Sequence, residues 1–454
     1  MENGKQRANF SSKLGFVFAA ASSAVGLGNL WRFPYLAAKY GGGIFLLTYI
    51  VLAVLFGVPL LITEIGIGRK TRQSSIGAFT ALGQKSNICG ILGLIIPMII
   101  TPYYCTIGGW VTKYMVTFAA GSEKEAVADS FFGSYIGSTA EPIIFLMIFL
   151  AFTSLVVFFG VEKGIEKVSS VLMPVLLVLV VGLSIYICTL PGVGEGVKYY
   201  FMPDFSKFSG KLVLAALGQL FYSLSLAMGI MVTYGSYMKK EDNIATSAGQ
   251  IAFFDSFVAL FAGLIIVPSV YLFSNGDQSA LSAGPGLMFI TLPKVFDTFA
   301  AGRIVGFLFF VLVFFAALTS SISLLEAIVS NIMDLTHMGR KKTVLIMTVY
   351  CAIVGIFSSL GFGAWSGFTI LGFDILDFLD FISNSVLMPV LALFTCIFVG
   401  YQLKPENLIA EVEQDGITFH TKRAYRFLVK WFCPIAIVAI LITYVLGAFG
   451  IFSV

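Results

Sequence analysis

Apolar side chains run along the chain in long stretches parted by short polar ones. Neither the strict alternation of half-buried strands nor the single stripe of a soluble amphipathic helix is seen. A helix that crosses a membrane needs about 20 mostly apolar residues at 1.5 Å rise each. Eleven stretches qualify, at approximately 14–37, 43–67, 88–119, 142–160, 166–188, 212–238, 244–274, 301–333, 342–360, 375–399 and 428–451. The pattern predicts an all-α integral membrane protein with one transmembrane domain over residues 1–454. The polar start, MENGKQRANFSSK, leads into a run too long for a cleavable signal and not followed by a cleavage site. The first helix is therefore expected to belong to the mature protein.

The longest polar stretches are 120–141, 189–211 and 275–300, and the last is rich enough in apolar residues to form a structured lid. Most of the 28 lysines and arginines fall on the side of the N-terminus, including Arg69, Lys70, Arg72, Lys239, Lys240, Arg340, Lys341 and Lys342. Short loops rich in Lys and Arg stay in the cytoplasm. The expectation is a plasma-membrane protein with its N-terminus cytoplasmic and, after an odd number of spans, its C-terminus outside.

Composition removes whole classes of function. Charged residues make up 11% of the 454 and hydrophobic ones 58%, against about 25% charged in a soluble chain. So few charges cannot build a water-facing surface. A soluble enzyme or a nucleic-acid partner is disfavoured. The two histidines, His337 and His420, disfavour bis-histidine haem ligation and most zinc chemistry. The six cysteines mostly sit inside apolar runs without a CxxC spacing and read as small core residues.

Two spans depart from plain membrane helices. Ser22-Ser23-Ala24-Val25-Gly26-Leu27-Gly28-Asn29 and Ser223-Leu224-Ser225-Leu226-Ala227-Met228-Gly229 place small and polar residues at mid-membrane depth. Small residues there can serve close helix packing. They can also mark unwound backbone, which is tolerated only where protein or a cavity satisfies its N–H and C=O groups. Two broken helices five spans apart point to an inverted-repeat transporter with its site between the halves. The first repeat would cover about 14–188 and the second about 212–399, with an extra helix at about 428–451.

Ser23-Ala24-Val25-Gly26-Leu27-Gly28-Asn29-Leu30-Trp31-Arg32-Phe33-Pro34-Tyr35, followed by Gly41-Gly42-Gly43, closely resembles the first-helix signature of the neurotransmitter:sodium symporters. Gly57-Val58-Pro59-Leu60 with Glu64, Tyr103-Tyr104, Gly218-Gln219-Leu220-Phe221-Tyr222-Ser223-Leu224-Ser225 and Leu318-Thr319-Ser320-Ser321 extend the likeness over nearly the whole chain. Members commonly have twelve spans, so this chain looks like a shorter, eleven-span bacterial form. The resemblance implies the 5+5 inverted-repeat (LeuT-type) fold, with helices 1 and 6 unwound at mid-membrane. It also implies sodium-coupled symport of hydrophobic L-amino acids such as Leu, Ile, Val, Met, Phe, Tyr and Trp with two Na+.

Sodium is a hard cation, and carbonyls freed by unwinding can replace its water shell without adding buried charge. By resemblance, a first sodium site would use the Ala24 carbonyl with Asn29, Ser223 and Asp255, and the substrate carboxylate would complete it. A second would use carbonyls of Ser22, Val25 and Ala316 with the hydroxyls of Thr319 and Ser320. On their own those hydroxyls would say little, because Ser and Thr in membrane helices usually bond back to the i−4 carbonyl. The substrate carboxylate would meet the N–H groups of Leu27 and Gly28, at the positive end of a half-helix, and the Tyr104 hydroxyl. Carbonyls near Ser23, Tyr222 and Ser225 would accept from the ammonium. Ile100, Tyr104, Tyr222, Met228, Ser320 and Leu324 would line the side-chain pocket. None of these is charged.

Charges at helix depth usually have a partner or a water-filled cavity. By resemblance, Arg32 and Asp377 would form the outer gate above the Tyr104–Tyr222 lid, with Asp374 and Asp380 as competitors for the Asp377 role. Arg7, Asp334 and Tyr237 would form the inner gate. Phe10 stands where the family usually carries Trp and keeps an apolar plug without the indole N–H. Gly164 and Pro174 flank a segment of the fifth span that could unwind and admit cytoplasmic water to the second sodium, although a loop end plus a tolerated proline would look the same. Asp255, aligned by Gly263, falls where chloride-dependent relatives look to carry Asn beside a bound chloride. No chloride requirement is therefore expected.

A channel would need a repeated filter sequence, a membrane enzyme a nucleophile–base pair or metal cluster, and a primary pump a nucleotide-binding loop. A proton-coupled amino acid carrier on the same fold is the nearest rival.

Overall fold

The computed structural model describes residues 8–274 and 284–448. Nine described helices are long and apolar enough to cross a membrane: Gly43–Thr71, Ile88–Ala120, Ala140–Phe158, Val161–Cys188, Ile244–Phe273, Gly302–Thr336, Arg340–Leu360, Ile375–Leu403 and Lys422–Gly447. Lys13–Ala24 and Gly28–Lys39, bent by 54° at a short break, make a tenth together. The expected span 212–238 is present as two pieces, Gly210–Ser223 and Ile230–Gly235. The second piece is too short to cross a bilayer, so the expected sixth span is not one continuous helix.

Lipid-facing stripes can be read off the helices. Leu47, Val51 and Val54 are exposed at i, i+4 and i+7 of the second span, the spacing that puts side chains on one face. Buried residues on the same helix, among them Tyr49, Phe56, Leu60 and Glu64, point the other way. The third and eighth spans, Ile88–Ala120 and Gly302–Thr336, pack against each other, and the first helix packs against the eighth span. Close approach there depends on small residues, as at Gly306, where an added Cβ would overlap the Phe118 ring.

The described part of the expected lid forms short helical turns at Leu287–Thr291 and Leu292–Asp297. Its anchor is Phe289, which stacks on Phe132 at 5.1 Å and meets Tyr114 at 5.1 Å. The Tyr114 hydroxyl donates to the Phe289 carbonyl at 2.7 Å. Residues 275–283 of that expectation lie outside the described residues.

Candidate functional site

The first helix ends at Ala24 because Val25 turns to an extended backbone, with φ −70° and ψ 103°. Helical structure resumes at Gly28. The sixth helix ends at Ser223, and the next six residues contain three positive φ values, 52° at Ser225, 56° at Ala227 and 70° at Gly229. A left-handed backbone costs a non-glycine residue roughly 1–2 kcal/mol, so fixed partners have to hold it. The Ser225 hydroxyl donates to the Ser23 carbonyl at 2.9 Å, and the Ala227 N–H donates to Glu64 Oε1 at 2.8 Å. The two breaks thus brace each other and lean on the second span.

Breaking the helices frees carbonyls, and the eighth span answers them. The Thr319 hydroxyl lies 2.8 Å from the Ser22 carbonyl and 3.2 Å from that of Ala316. The Ser320 hydroxyl lies 3.0 Å from the Ser23 carbonyl and 3.3 Å from that of Val25. Ser22, Val25, Ala316, Thr319 and Ser320 therefore meet in one knot of five oxygens, all buried. Thr319 also bonds back to Phe315 at 3.0 Å, so the bland role of such a hydroxyl coexists with the cross-helix one.

A second knot surrounds Asp255, which is fully buried. Its Oδ1 accepts from Asn29 Nδ2 at 2.8 Å and from the Ser223 hydroxyl at 2.7 Å, and its Oδ2 accepts from the Tyr49 hydroxyl at 3.0 Å. All three donors are neutral. A buried carboxylate among neutral donors, beside a broken helix that frees carbonyls, suits a small hard cation. Asn29 is turned so that its Oδ1 accepts the Gly26 N–H at 3.0 Å. Ala24 lines the same cavity as Asn29 and Ser223.

Between the knots is a small cavity. Every residue expected at the substrate site lines it: Ser23, Ala24, Leu27, Gly28, Ile100, Tyr104, Tyr222, Ser223, Ser225, Met228, Ser320 and Leu324. Gly26 and Ile230 complete the wall. The Leu27 N–H faces the Tyr104 hydroxyl at 3.5 Å, so the two groups expected to hold a carboxylate point at one place. A side chain at Gly28 would put its Cβ 2.7 Å from the Tyr222 ring; only glycine leaves the ring in position. The cavity lining carries no lysine, arginine, aspartate or glutamate.

At the expected outer gate, the structure moves the carboxylate expected opposite Arg32 by one turn. Asp377 is exposed in the first turn of the tenth helix, and its charged neighbours are Asp374 and Asp380. Asp374 caps that helix by accepting the Asp377 N–H at 2.8 Å. Asp380 lies one turn deeper, and it is the carboxylate within electrostatic reach of Arg32. The Tyr103 hydroxyl donates to Asp380 at 3.0 Å and Asn384 at 2.5 Å. The reason is where the helix starts: with the cap at Asp374, Asp377 still faces out.

Arg7 lies outside the described residues. Asp334 accepts from the backbone N–H of Ser74 at 2.9 Å and also from its hydroxyl. Tyr237 reaches two other residues of the eighth span. Its hydroxyl donates to Glu326 at 2.7 Å and meets Ser330 at 3.0 Å, and Arg340 grips Glu326 with two contacts of 2.6 and 2.7 Å. Phe10 is buried, edge-on to Phe16, Tyr234 and Tyr237 with centroids 5.5, 5.7 and 6.2 Å away. It packs there as the apolar plug expected at this position, without an indole.

Sequence reasoning missed Tyr49, Glu326 and Arg340 as site residues, and treated Glu64 and Tyr103 only as motif letters. Glu64 and Glu326 had a signal, a carboxylate inside an apolar span, the same one that drew attention to Asp255. Tyr49 had none, since an aromatic in a membrane run looks like core.

Two broken helices, two oxygen knots and one uncharged cavity define an ion-coupled membrane transporter. Comparison with known proteins agrees. The sodium:neurotransmitter symporter family matches residues 7–122 and 133–449, and the chain belongs to that family. It is 37% identical to the sodium-dependent transporter YhdH of Bacillus subtilis over 95% of this chain and 96% of that one. It is 34% identical to a sodium-dependent transporter of Haemophilus influenzae over 97% and 99%. Among solved structures, MhsT in complex with L-phenylalanine matches with a TM-score of 0.86 at 36% identity, over 96% of this chain and 99% of that one. Sodium-coupled transport across a membrane is thus the activity of the family, and the LeuT-type fold is its scaffold. More distant relatives include the sodium- and chloride-dependent glycine transporter 2 of Xenopus laevis, 25% identical over 98% of this chain.

Proposed function

We propose that this protein carries hydrophobic L-amino acids into the cell with two sodium ions per substrate, by alternating access, and without chloride. The observation that carries the reading is one uncharged cavity between two separate buried oxygen clusters. A zwitterion needs an anion-binding end and a cation-binding end. Leu27 N–H, Gly28 N–H and the Tyr104 hydroxyl would serve the carboxylate, and carbonyls around Ser23, Tyr222 and Ser225 the ammonium. The remaining wall is apolar and sets the side-chain class. Met228, unbranched and polarizable, repacks around side chains of different size, so several apolar amino acids should share the site.

Asn29, Ser223, Asp255 and the Ala24 carbonyl would hold the first ion; Ser22, Val25, Ala316, Thr319 and Ser320 would hold the second. The neighbour solved with phenylalanine supports the substrate class. Placing the N-terminus in the cytoplasm and the C-terminus outside follows from the basic loops. Arg32 with Asp380 would close the outer side, and Phe10 with the Tyr237–Glu326–Arg340 network the inner side.

Uptake of phenylalanine into proteoliposomes is expected to require inward sodium, to carry net positive charge inward, and to stop when choline replaces sodium. Uptake driven by a proton gradient in choline would instead establish the proton-coupled carrier.

A further inference from the structure

Arg32 has a partner from outside the expected gate. Its Nη2 donates to the Tyr444 hydroxyl at 3.0 Å. The guanidinium also lies 5.7 Å from the centre of the Tyr444 ring and 5.9 Å from that of Tyr222. Both distances are within the roughly 6 Å at which a cation is attracted to an aromatic ring. Tyr222 belongs to the cavity wall, whereas Tyr444 stands on Lys422–Gly447, the last of the described helices. The sixth helix makes room for it: a Cβ added at Gly218 would overlap the Tyr444 hydroxyl.

We propose that Tyr444 is a positioning residue of the outer gate, fixing the Arg32 guanidinium over Tyr222 and so tying gate closure to the last helix. This rests on the reading of the cavity as the transport site. A planar guanidinium held by a single carboxylate can swing about the stem of its side chain. A hydrogen bond to the Tyr444 hydroxyl, together with the two aromatic rings, removes that freedom. Opening the outer side then requires either breaking the Arg32–Tyr444 bond or carrying the last helix along.

Gate opening can be read without any substrate. Ile100 is buried in the cavity wall, so Ile100→Cys should react with a membrane-impermeant thiol reagent only when the outer side opens. Cys188 is exposed and the other five cysteines are buried, so Cys188→Ala gives a quiet background. In intact cells in sodium buffer, Tyr444→Phe keeps the ring and loses the hydroxyl. It is expected to speed labelling about tenfold, the factor for a lost hydrogen bond to a charged group. Gly218→Ala, which displaces the tyrosine without altering it, should move the rate the same way and carries the test if Tyr444→Phe fails to reach the membrane. A merely structural role would lower the amount of protein and leave the rate per molecule alone. Labelling of Tyr444→Phe within about twofold of its parent, while Arg32→Gln accelerates it, overturns the proposal. Protection of the reporter by phenylalanine in the parent tests the transport reading separately. Its absence would remove that reading and leave the gate measurement standing.

Discussion

The Ser223 hydroxyl and the Asp255 carboxylate meet at 2.7 Å across the broken sixth helix and the seventh, and no cationic side chain is among the hydrogen-bond donors to that carboxylate. A fixed negative charge there can offset bound sodium in place of an anion. Transport is expected to be unchanged when gluconate replaces chloride. Asp255→Asn should abolish transport or make it respond to chloride. Full activity of Asp255→Asn in gluconate would remove the charge-compensation role, and a chloride requirement in the unaltered protein would show an anion site in use.

Glu326 is fully buried and held by Arg340 and Tyr237. Taking away one partner of a buried pair leaves an uncompensated charge and costs about 3–5 kcal/mol. Arg340→Met should therefore lower the thermal midpoint and open the inner side. Combined with Glu326→Met it should recover the midpoint while the inner side stays leaky. Equal melting of single and double variants would mean that the pair is not coupled.

How much of this was legible in the sequence differs by element. The breaks at Ser22–Asn29 and Ser223–Gly229 could be read, because small and polar residues in mid-membrane runs have few physical explanations. The cavity wall could be read only through family likeness: Ile100, Met228 and Leu324 look like any core residue. Asp377 was misplaced because three aspartates lie within seven residues, and which one faces inward depends on where the helix caps. Glu326–Arg340 joins the eighth and ninth spans, and Arg32–Tyr444 joins residues 412 positions apart; no local pattern encodes such pairings.

Met228 lines the cavity beside Ile100 and Leu324. Leu, Ile, Val, Met, Phe, Tyr and Trp are expected to compete for one site. Met228→Phe should shift the preference toward the smaller side chains by filling space. Competition uptake with labelled leucine checks this, and failure of Trp to displace Leu, or an unchanged ranking in Met228→Phe, would count against the pocket as the side-chain site.

The Thr319 hydroxyl reaches the carbonyls of Ser22 and Ala316, so Thr319→Val removes one oxygen of the second cluster and keeps the shape. Sodium activation of uptake should become less steep, with a Hill coefficient falling toward about 1. An unchanged sodium curve would mean that this cluster holds the helices together rather than an ion.

The fifth span joins the second oxygen cluster to the start of the first helix. Ser22 donates from its hydroxyl to that of Ser169 at 3.2 Å, and Ser169 lies between Gly164 and Pro174. The same stretch holds the start of the first helix: Glu166 accepts from the Ser11 N–H at 2.7 Å and the Ser11 hydroxyl at 2.6 Å, and from the Ser12 N–H at 3.2 Å. Here the segment is helical from Val161 to Cys188. Pro174 contributes no N–H to that ladder, so unwinding next to it costs less than elsewhere in the helix. Losing the helix there would release Ser22 and the N-terminal segment together and let water reach the second cluster. Backbone hydrogen exchange over 164–174 should be slow in sodium and speed up in its absence, and Glu166→Gln should speed it in both conditions. Exchange indifferent to sodium would show that the segment is a fixed strut and that the second ion leaves by another route.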